Sequence, residues 1–175
     1  MRSLDFQYIF KHPFEIVVRA YFQKYTSGKD QNVTSITVIE HKQDPKTGEE
    51  YILRRGTCAN ILPAVFRRFC PSAVVEVEEE AWLKRKERIL HLHSYNITGS
   101  SYVKLEEYST YTQSNLNDNW TVMEQRGVIT ADGLGPILGR MLESFSIHVF
   151  KCGADKGFTI MEDLLMAMNT VSSSV

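Results

Sequence analysis

The chain lacks several features that define other classes of protein. Its 175 residues include only three cysteines, five prolines and ten glycines. These numbers exclude a disulfide scaffold, a collagen-like repeat and a low-complexity chain. The cysteines at 58, 70 and 152 are odd in number and lack close paired spacing, so we expect buried free thiols rather than redox or metal-binding residues. No run reaches about 18 apolar residues, so no transmembrane helix is expected. The first residues also lack the cleavage site of a secretory signal and the arginine-rich character of a mitochondrial presequence, so we expect neither.

The chain carries almost no net charge. A formal charge of −1 gives no global basic field, and nucleic acid is therefore not an expected partner. The charge is nevertheless uneven, because residues 1–70 carry 11 Lys and Arg against 7 Asp and Glu, whereas residues 71–132 carry 6 against 10. The basic first third fits local attraction of an anion and fits ordinary surface scatter equally well.

Common catalytic motifs are missing as well. The sequence contains no glycine-rich phosphate loop, nucleophile elbow or zinc-protease helix motif, so we expect neither an enzyme nor a cofactor. His91 and His93 share one face of a strand, a spacing that metal sites use, and Glu76, Glu78 or Glu80 on the preceding strand would be the third ligand. The same pattern is typical of a polar sheet face in solvent, and we favour that interpretation.

What the sequence does contain is a regular succession of apolar periods. Residues 3–10 alternate as a strand does, and the apolar spacing after Pro13 predicts a helix that ends near Tyr25. Strand-like segments follow at 33–41, 50–57, 73–84, 87–97, 102–112 and 119–130. The connections between them are short, which favours an antiparallel meander over a parallel sheet.

From Pro136 the period is helical to the end of the chain. We therefore predict an α+β helix-grip domain, in which a curved antiparallel sheet wraps a long C-terminal helix that glycines 153 and 157 bend. The domain covers residues 1–172, and residues 173–175 form a frayed tail. Such an arrangement leaves room for a cavity, and seven apolar residues of the two helices are its predicted lining: Phe14, Val18, Phe22, Ile137, Met141, Phe145 and Val149.

One segment between two strands does not fit this regular pattern. Residues 58–71 combine apolar and cationic side chains, and six of them form the candidate lid: Leu62, Val65, Phe66, Arg67, Arg68 and Phe69. The segment is either a short helix that caps the core or a mobile lid suited to a membrane surface.

The chain resembles the PRELI/slowmo (MSF-type) family, and it resembles the short members of that family most closely. Six groups of residues, spread over nearly the whole chain, carry the resemblance. They are His12-Pro13-Phe14, Lys24-Tyr25, Leu62-Pro63, Lys104-Leu-Glu-Glu-Tyr-Ser-Thr-Tyr111, Asn119-Trp120-Thr121 and Lys156-Gly157-Phe158. The resemblance implies a StART-like fold and an intracellular protein of the mitochondrial intermembrane space. It also implies the transfer of an anionic phospholipid, phosphatidic acid or phosphatidylserine, between the outer and inner membranes.

The resemblance further implies a partner, a small helical-hairpin protein with twin CX9C motifs, and transient contact with a membrane surface. It places the family's basic residue at the end of the first helix on Lys24, and the cationic neighbourhood of the last helix on Lys151 and Lys156. Together with Arg54, these residues are the candidates for binding the lipid headgroup, because a buried anion must be paired. A non-transferring adaptor of the same fold is the alternative function.

The chain departs from the family just before the lid, where other members carry Lys or Arg and this sequence has Cys58 and Ile61. Four arginines nearby are the candidates to compensate: Arg54, Arg55, Arg67 and Arg68.

Overall fold

The computed structural model describes residues 1–172, and the predicted tail at 173–175 lies outside the described residues. The elements in chain order are β1 (Arg2–Phe10), α1 (Phe14–Lys24), β2 (Val33–Gln43), β3 (Glu50–Ala59), α2 (Ala64–Arg67), β4 (Val74–Lys84), β5 (Ile89–Asn96), β6 (Val103–Gln113), β7 (Thr121–Ala131) and α3 (Gly135–Ser172). The predicted order of a strand, a helix, six strands and a long helix is confirmed.

The seven strands form one antiparallel sheet in the order β1-β7-β6-β5-β4-β3-β2. Strands β2 to β7 are a simple meander, as their short connections predict. Strand β1 joins the far side, where Arg2 lies opposite Ile129 and Phe10 lies opposite Thr121. Helix α3 packs on β7, α1 and β1, which completes the predicted helix-grip arrangement.

Side chains alternate between the two faces of the sheet, and strand β4 shows the consequence. Ala81 and Leu83 are fully buried on the inner face, whereas Glu78, Glu80 and Trp82 lie on the outer face. The expectation of a polar outer face is therefore confirmed for this strand.

The apolar interior consists of two separate cores. The first joins α1 to the C-terminal half of α3, and its largest fully buried members are Phe10, Phe14, Leu83, Leu90, Met123, Met161 and Leu165. The second joins α2 to the N-terminal half of α3 and contains Phe66, Val103, Ile129 and Leu142. A domain of this size ordinarily has one contiguous core. The division shows that the middle of the interior is packed differently from its ends.

Helix α3 continues without a break through Gly153 and Gly157. A Cβ atom at Gly157 would lie 2.9 Å from the Lys24 Nζ, so this glycine lets the lysine pass close to the helix. Gly127 on β7 has the corresponding role for Phe150, whose ring would lie 2.7 Å from a Cβ atom there. A Cβ atom at Gly153 would have nothing within 4 Å.

We predict that Gly127→Ala lowers the free energy of unfolding by about 1–3 kcal/mol, because the added methyl group forces the Phe150 ring out of place. The matched change Gly153→Ala should raise it by about 0.5–1 kcal/mol, since alanine is the better helix former and the site is open. Urea unfolding of both variants measures these effects. Equal stability of the two variants would contradict the close packing at Gly127.

Candidate functional site

A cavity of about 440 Å³ lies between the inner face of the sheet and the middle of α3, and members of both cores form part of its wall. Most of its wall is apolar. Helix α3 contributes Leu142, Phe145, Val149, Phe150, Phe158 and Met161, and the strands contribute Ile36, Val75, Val77, Val103, Leu105 and Met123. This volume meets the several hundred cubic ångströms that a carrier of apolar molecules needs.

The lid segment closes one part of this cavity with its apolar side. Leu62, Phe66 and Phe69 line the wall, and Phe66 is buried against the second core. Val65, at 44% exposure, and the two neighbouring arginines, 67 and 68, are exposed and are not part of the wall. The segment thus caps the core, as one of the two interpretations holds, and it also presents an outer face to solvent.

The structure places two of the seven predicted lining residues, Phe145 and Val149, on the cavity wall. Their contact with a ligand stays a prediction. The prediction is wrong for the five others. Phe14 and Val18 are buried in the first core, and Phe22 packs against it.

Ile137 and Met141 are 75% and 51% exposed, so they do not line the cavity either. The inner side of α3 begins at Leu138 and Leu142 instead, which both belong to the second core. Residues four apart on a helix are displaced by about 40°, so the predicted stripe drifts around α3, and its first two members face solvent while its last two, Phe145 and Val149, face the cavity.

The four predicted headgroup residues fall in different places. Lys24 and Arg54 line the cavity. Lys151 is exposed and is not part of the wall, and Lys156 is exposed and pairs with Asp30 at 3.0 Å. The four residues therefore do not share one site on the cavity wall, because Lys151 and Lys156 are exposed and do not line it.

Arg54 is already neutralised inside the protein. Its Nε and Nη2 donate hydrogen bonds to Glu79 Oε1 at 3.0 and 2.6 Å, and Tyr21 donates its hydroxyl to the other carboxylate oxygen at 2.5 Å. Both charged groups are buried, Arg54 at 4% exposure. Burial is the largest single influence and opposes the charge of Arg54, but the attraction and hydrogen bonds of Glu79, together with Tyr21 and Tyr25, outweigh it, so the pKa of Arg54 is raised.

The other three arginines do not supply a cation to the cavity. Arg55 lies on the outer face of the sheet, where it pairs with Glu78, and arginines 67 and 68 are exposed on the lid. These three arginines are not part of the cavity wall, and their compensation for the family's basic residues stays a prediction.

Lys24 is the other cation of the cavity wall, and it differs from Arg54 in its contacts. Its Nζ lies 4.8 Å from the centre of the Tyr25 ring and 5.9 Å from that of Tyr21. Within residues 1–172, Lys24 forms no ion pair with a carboxylate. It is the best-placed side chain to bind an anion that enters the cavity.

Glu107 is a cavity residue that the sequence interpretation missed. It follows Leu105 and precedes Ser109 on the inner face of β6, whereas Glu106 points outward toward His93. Burial raises the pKa of Glu107, while the charge of Lys24 and hydrogen bonds from Gln125 and Ser109 lower it in part. One feature of the sequence could have revealed it. Side chains alternate along a strand, and Glu79 and Glu107 both stand at positions that inward-facing apolar residues otherwise occupy.

The histidine pair lies on the opposite, outer side of the sheet. His93 stacks on Tyr108 at 4.4 Å and lies 3.5 and 3.4 Å from Glu80 and Glu106, while His91 contacts Thr110. In residues 1–172 no three His, Cys, Asp or Glu side chains are grouped to hold a metal ion.

The three cysteines are free, but they differ in exposure. Cys58 and Cys70 line the cavity, half-buried and buried respectively. Cys152 is exposed. The prediction of a buried thiol is therefore wrong for Cys152, which lies on the solvent side of α3.

Comparison with known proteins gives a family match along most of the chain. The model of the PRELI-like family matches residues 15–171. A curated relative, the protein slowmo homolog of Dictyostelium discoideum, is 27% identical over 160 residues, which are 91% of this chain and 69% of that protein. Among the described helices, none is long and apolar enough to cross a membrane.

Solved structures with this fold have very different sequences. The protein TTHA0849 of Thermus thermophilus superposes with a TM-score of 0.62 at 12% identity, covering 95% of this chain and 99% of that one. The Zhui aromatase/cyclase of Streptomyces sp. R1128 gives 0.57 at 12% identity, with 93% of both chains covered. Ara h 8.0201 gives 0.60 at 8% identity, covering 94% and 98%. These neighbours are StART-like helix-grip folds, so the predicted fold class is confirmed.

We predict that Glu79→Ala lowers the free energy of unfolding by about 3–5 kcal/mol, because it leaves the Arg54 guanidinium buried without a counter-ion. Glu78→Ala is the matched control on the same strand, since it breaks an ion pair at the solvent face, where such pairs contribute little. Chemical unfolding compares the two variants. A loss for Glu79→Ala no larger than that for Glu78→Ala would contradict the structural role of the buried pair.

Proposed function

Because this chain belongs to the PRELI-like family, whose fold is one for lipid binding and transfer, we propose that it is a phospholipid carrier rather than an enzyme. In this proposal the protein extracts an anionic phospholipid, phosphatidic acid or phosphatidylserine, from a membrane. It then carries the lipid with both acyl chains in the cavity and releases it at a second membrane.

The observation that carries the proposal is the apolar cavity between the sheet and α3. A two-chain phospholipid exposes roughly 30 methylene groups, and each costs about 0.8 kcal/mol in water. Free passage between membranes therefore costs on the order of 20 kcal/mol or more. A wall built from side chains such as Phe145, Val149 and Leu105 removes much of this cost.

Lys24 is the proposed first contact of the phosphate. It lines the cavity at the end of α1, and the glycine at 157 gives its side chain room beside α3. An ammonium in a site shielded from water binds a phosphate more strongly than the same pair would bind in solvent.

The lid segment is the proposed point of membrane contact. Its inner side chains close the cavity, and its outer side presents Val65 and the two arginines. Apolar side chains next to cations suit insertion between the headgroups of an anionic membrane. Opening of the segment at the membrane would then join the cavity to the bilayer.

Location and partner are proposed from the family resemblance. The carrier works in the mitochondrial intermembrane space, between the outer and inner membranes, with a small twin-CX9C helical-hairpin protein as its partner. Exposed apolar side chains on the described surface, such as Leu116 and Met166, are compatible with an interaction partner.

An adaptor of the same fold remains the second candidate, because one fold supports many functions. An adaptor has no need of an internal cavity, and its interior would be packed to the usual density of proteins. The open space between the two cores favours the carrier.

We predict that Val149→Trp reduces phospholipid transfer between vesicles at least about tenfold, since the larger side chain fills the cavity that the acyl chains need. Ile137→Trp is the matched control, because position 137 lies on the same helix but is 75% exposed. Transfer is followed by mass spectrometry of the acceptor vesicles, and thermal unfolding confirms that both variants fold. Normal transfer by folded Val149→Trp would contradict the proposal that the acyl chains occupy this cavity.

We predict that Val65→Ser weakens binding to vesicles of anionic lipid several-fold, because it removes an apolar group from the outer side of the lid. Val38→Ser is the control, since Val38 is 56% exposed on the edge strand β2, outside the lid. Co-sedimentation with vesicles measures binding. Equal binding by the two variants would remove the lid from the membrane contact.

A further inference from the structure

Among the described residues, the charged groups around the cavity pair off with two exceptions. Two carboxylates of the wall have basic partners, since Glu79 pairs with Arg54 and Asp30 pairs with Lys156. Lys24 and Glu107 are the two that remain. They are close enough for the charge of the lysine to lower the pKa of the glutamate. The cavity therefore offers a ligand one positive and one negative group in the same region.

This arrangement does not suit a headgroup that is only negative. A bare phosphate gains the attraction of Lys24 but meets the repulsion of Glu107, and both act strongly in a site removed from water. A headgroup with a phosphate and an ammonium can satisfy both residues at once. Its positive charge also offsets the cost of burying the Glu107 carboxylate, which burial alone makes unfavourable.

We propose that Glu107 is a specificity-determining residue, which binds the primary ammonium of a serine or ethanolamine headgroup while Lys24 binds the phosphate. This inference rests on the proposed function and narrows it to aminophospholipids over phosphatidic acid. Gln125 and Ser109 lie beside the Glu107 carboxylate, and both lower its pKa and so favour its charged form. A carboxylate accepts about four hydrogen bonds, so it retains free positions for an ammonium, which has three donors.

Neither Glu79 nor the tyrosines near Glu107 are available to pair with the ammonium. Glu79, the second carboxylate on the inner face, is held by Arg54 and Tyr21. Tyr25 and Tyr111 line the same part of the wall and carry no charge, because burial raises the pKa of both hydroxyl groups well above the usual value.

The test uses the full chain and donor vesicles that contain phosphatidic acid, phosphatidylserine and phosphatidylethanolamine in equal mole fractions. Mass spectrometry of the acceptor vesicles gives the transfer rate of each lipid. We expect the wild-type protein to move the two aminophospholipids several-fold faster than phosphatidic acid. A comparison of the transfer rates of the serine and ethanolamine lipids shows whether the extra carboxylate of serine matters.

Glu107→Gln keeps the shape of the side chain and its hydrogen bonds to Gln125 and Ser109 but removes the charge. We expect it to slow the transfer of both aminophospholipids at least about tenfold, the scale of one lost charge-assisted hydrogen bond, and to leave phosphatidic acid unchanged or faster. Glu106→Gln, one residue earlier on the outer face, should keep the wild-type preference.

A wild-type protein that moves phosphatidic acid fastest would overturn this inference while leaving the proposed function intact, and so would an equal loss of all three lipids in folded Glu107→Gln. Because the wild-type preference needs no variant, it decides the matter even if Glu107→Gln does not fold. A wild-type protein that moves none of the lipids would instead overturn the proposed function, and this inference with it.

Discussion

The structure depends on an open space between the sheet and α3 as much as on the apolar contacts that join them. Two apolar cores join them, one near α1 and one near α2, and the space between the cores stays open. Unfilled space in a protein interior costs stability, because the atoms around it lose contacts. The two cores make that cost tolerable, since each end of α3 is anchored independently. The same division turns the middle of the domain into an apolar container with a single-turn helix, α2, over one side.

Much of this architecture follows from the sequence. Alternating and helical periods predicted the order of the elements, and short connections predicted the antiparallel meander. The charge network inside was not predictable in the same way. Arg54 and Glu79 lie opposite each other in the pairing of β3 with β4, and the sequence gives the parity of each residue but not the register between strands. The lining of α3 was missed for a similar reason, because a helix with apolar residues on more than one side does not reveal which side turns inward. Ile137 and Leu138 are neighbours in sequence, yet only Leu138 contributes to a core.

The shared fold is less informative about the function than the residues of the cavity wall are. An aromatase/cyclase and Ara h 8.0201 share this fold at 12% and 8% identity, so the scaffold serves proteins of different kinds. What bears on the function of this chain is the content of the wall: apolar residues over most of its area, a lysine without an ion-pair partner in the described chain, and a half-buried glutamate near it. An apolar container with one positive and one negative group fits an amphipathic molecule with charges at one end. Membership in the PRELI-like family independently supports the binding of a lipid.

The central claim is that the space between the two cores holds the acyl chains of a phospholipid. Native mass spectrometry tests it most directly, on protein incubated with phospholipid vesicles and then separated from them. The account predicts a species heavier than the chain by the mass of one phospholipid, which releases that lipid when the protein is unfolded. A spectrum that contains only the bare chain, from protein shown to be folded, would contradict the account.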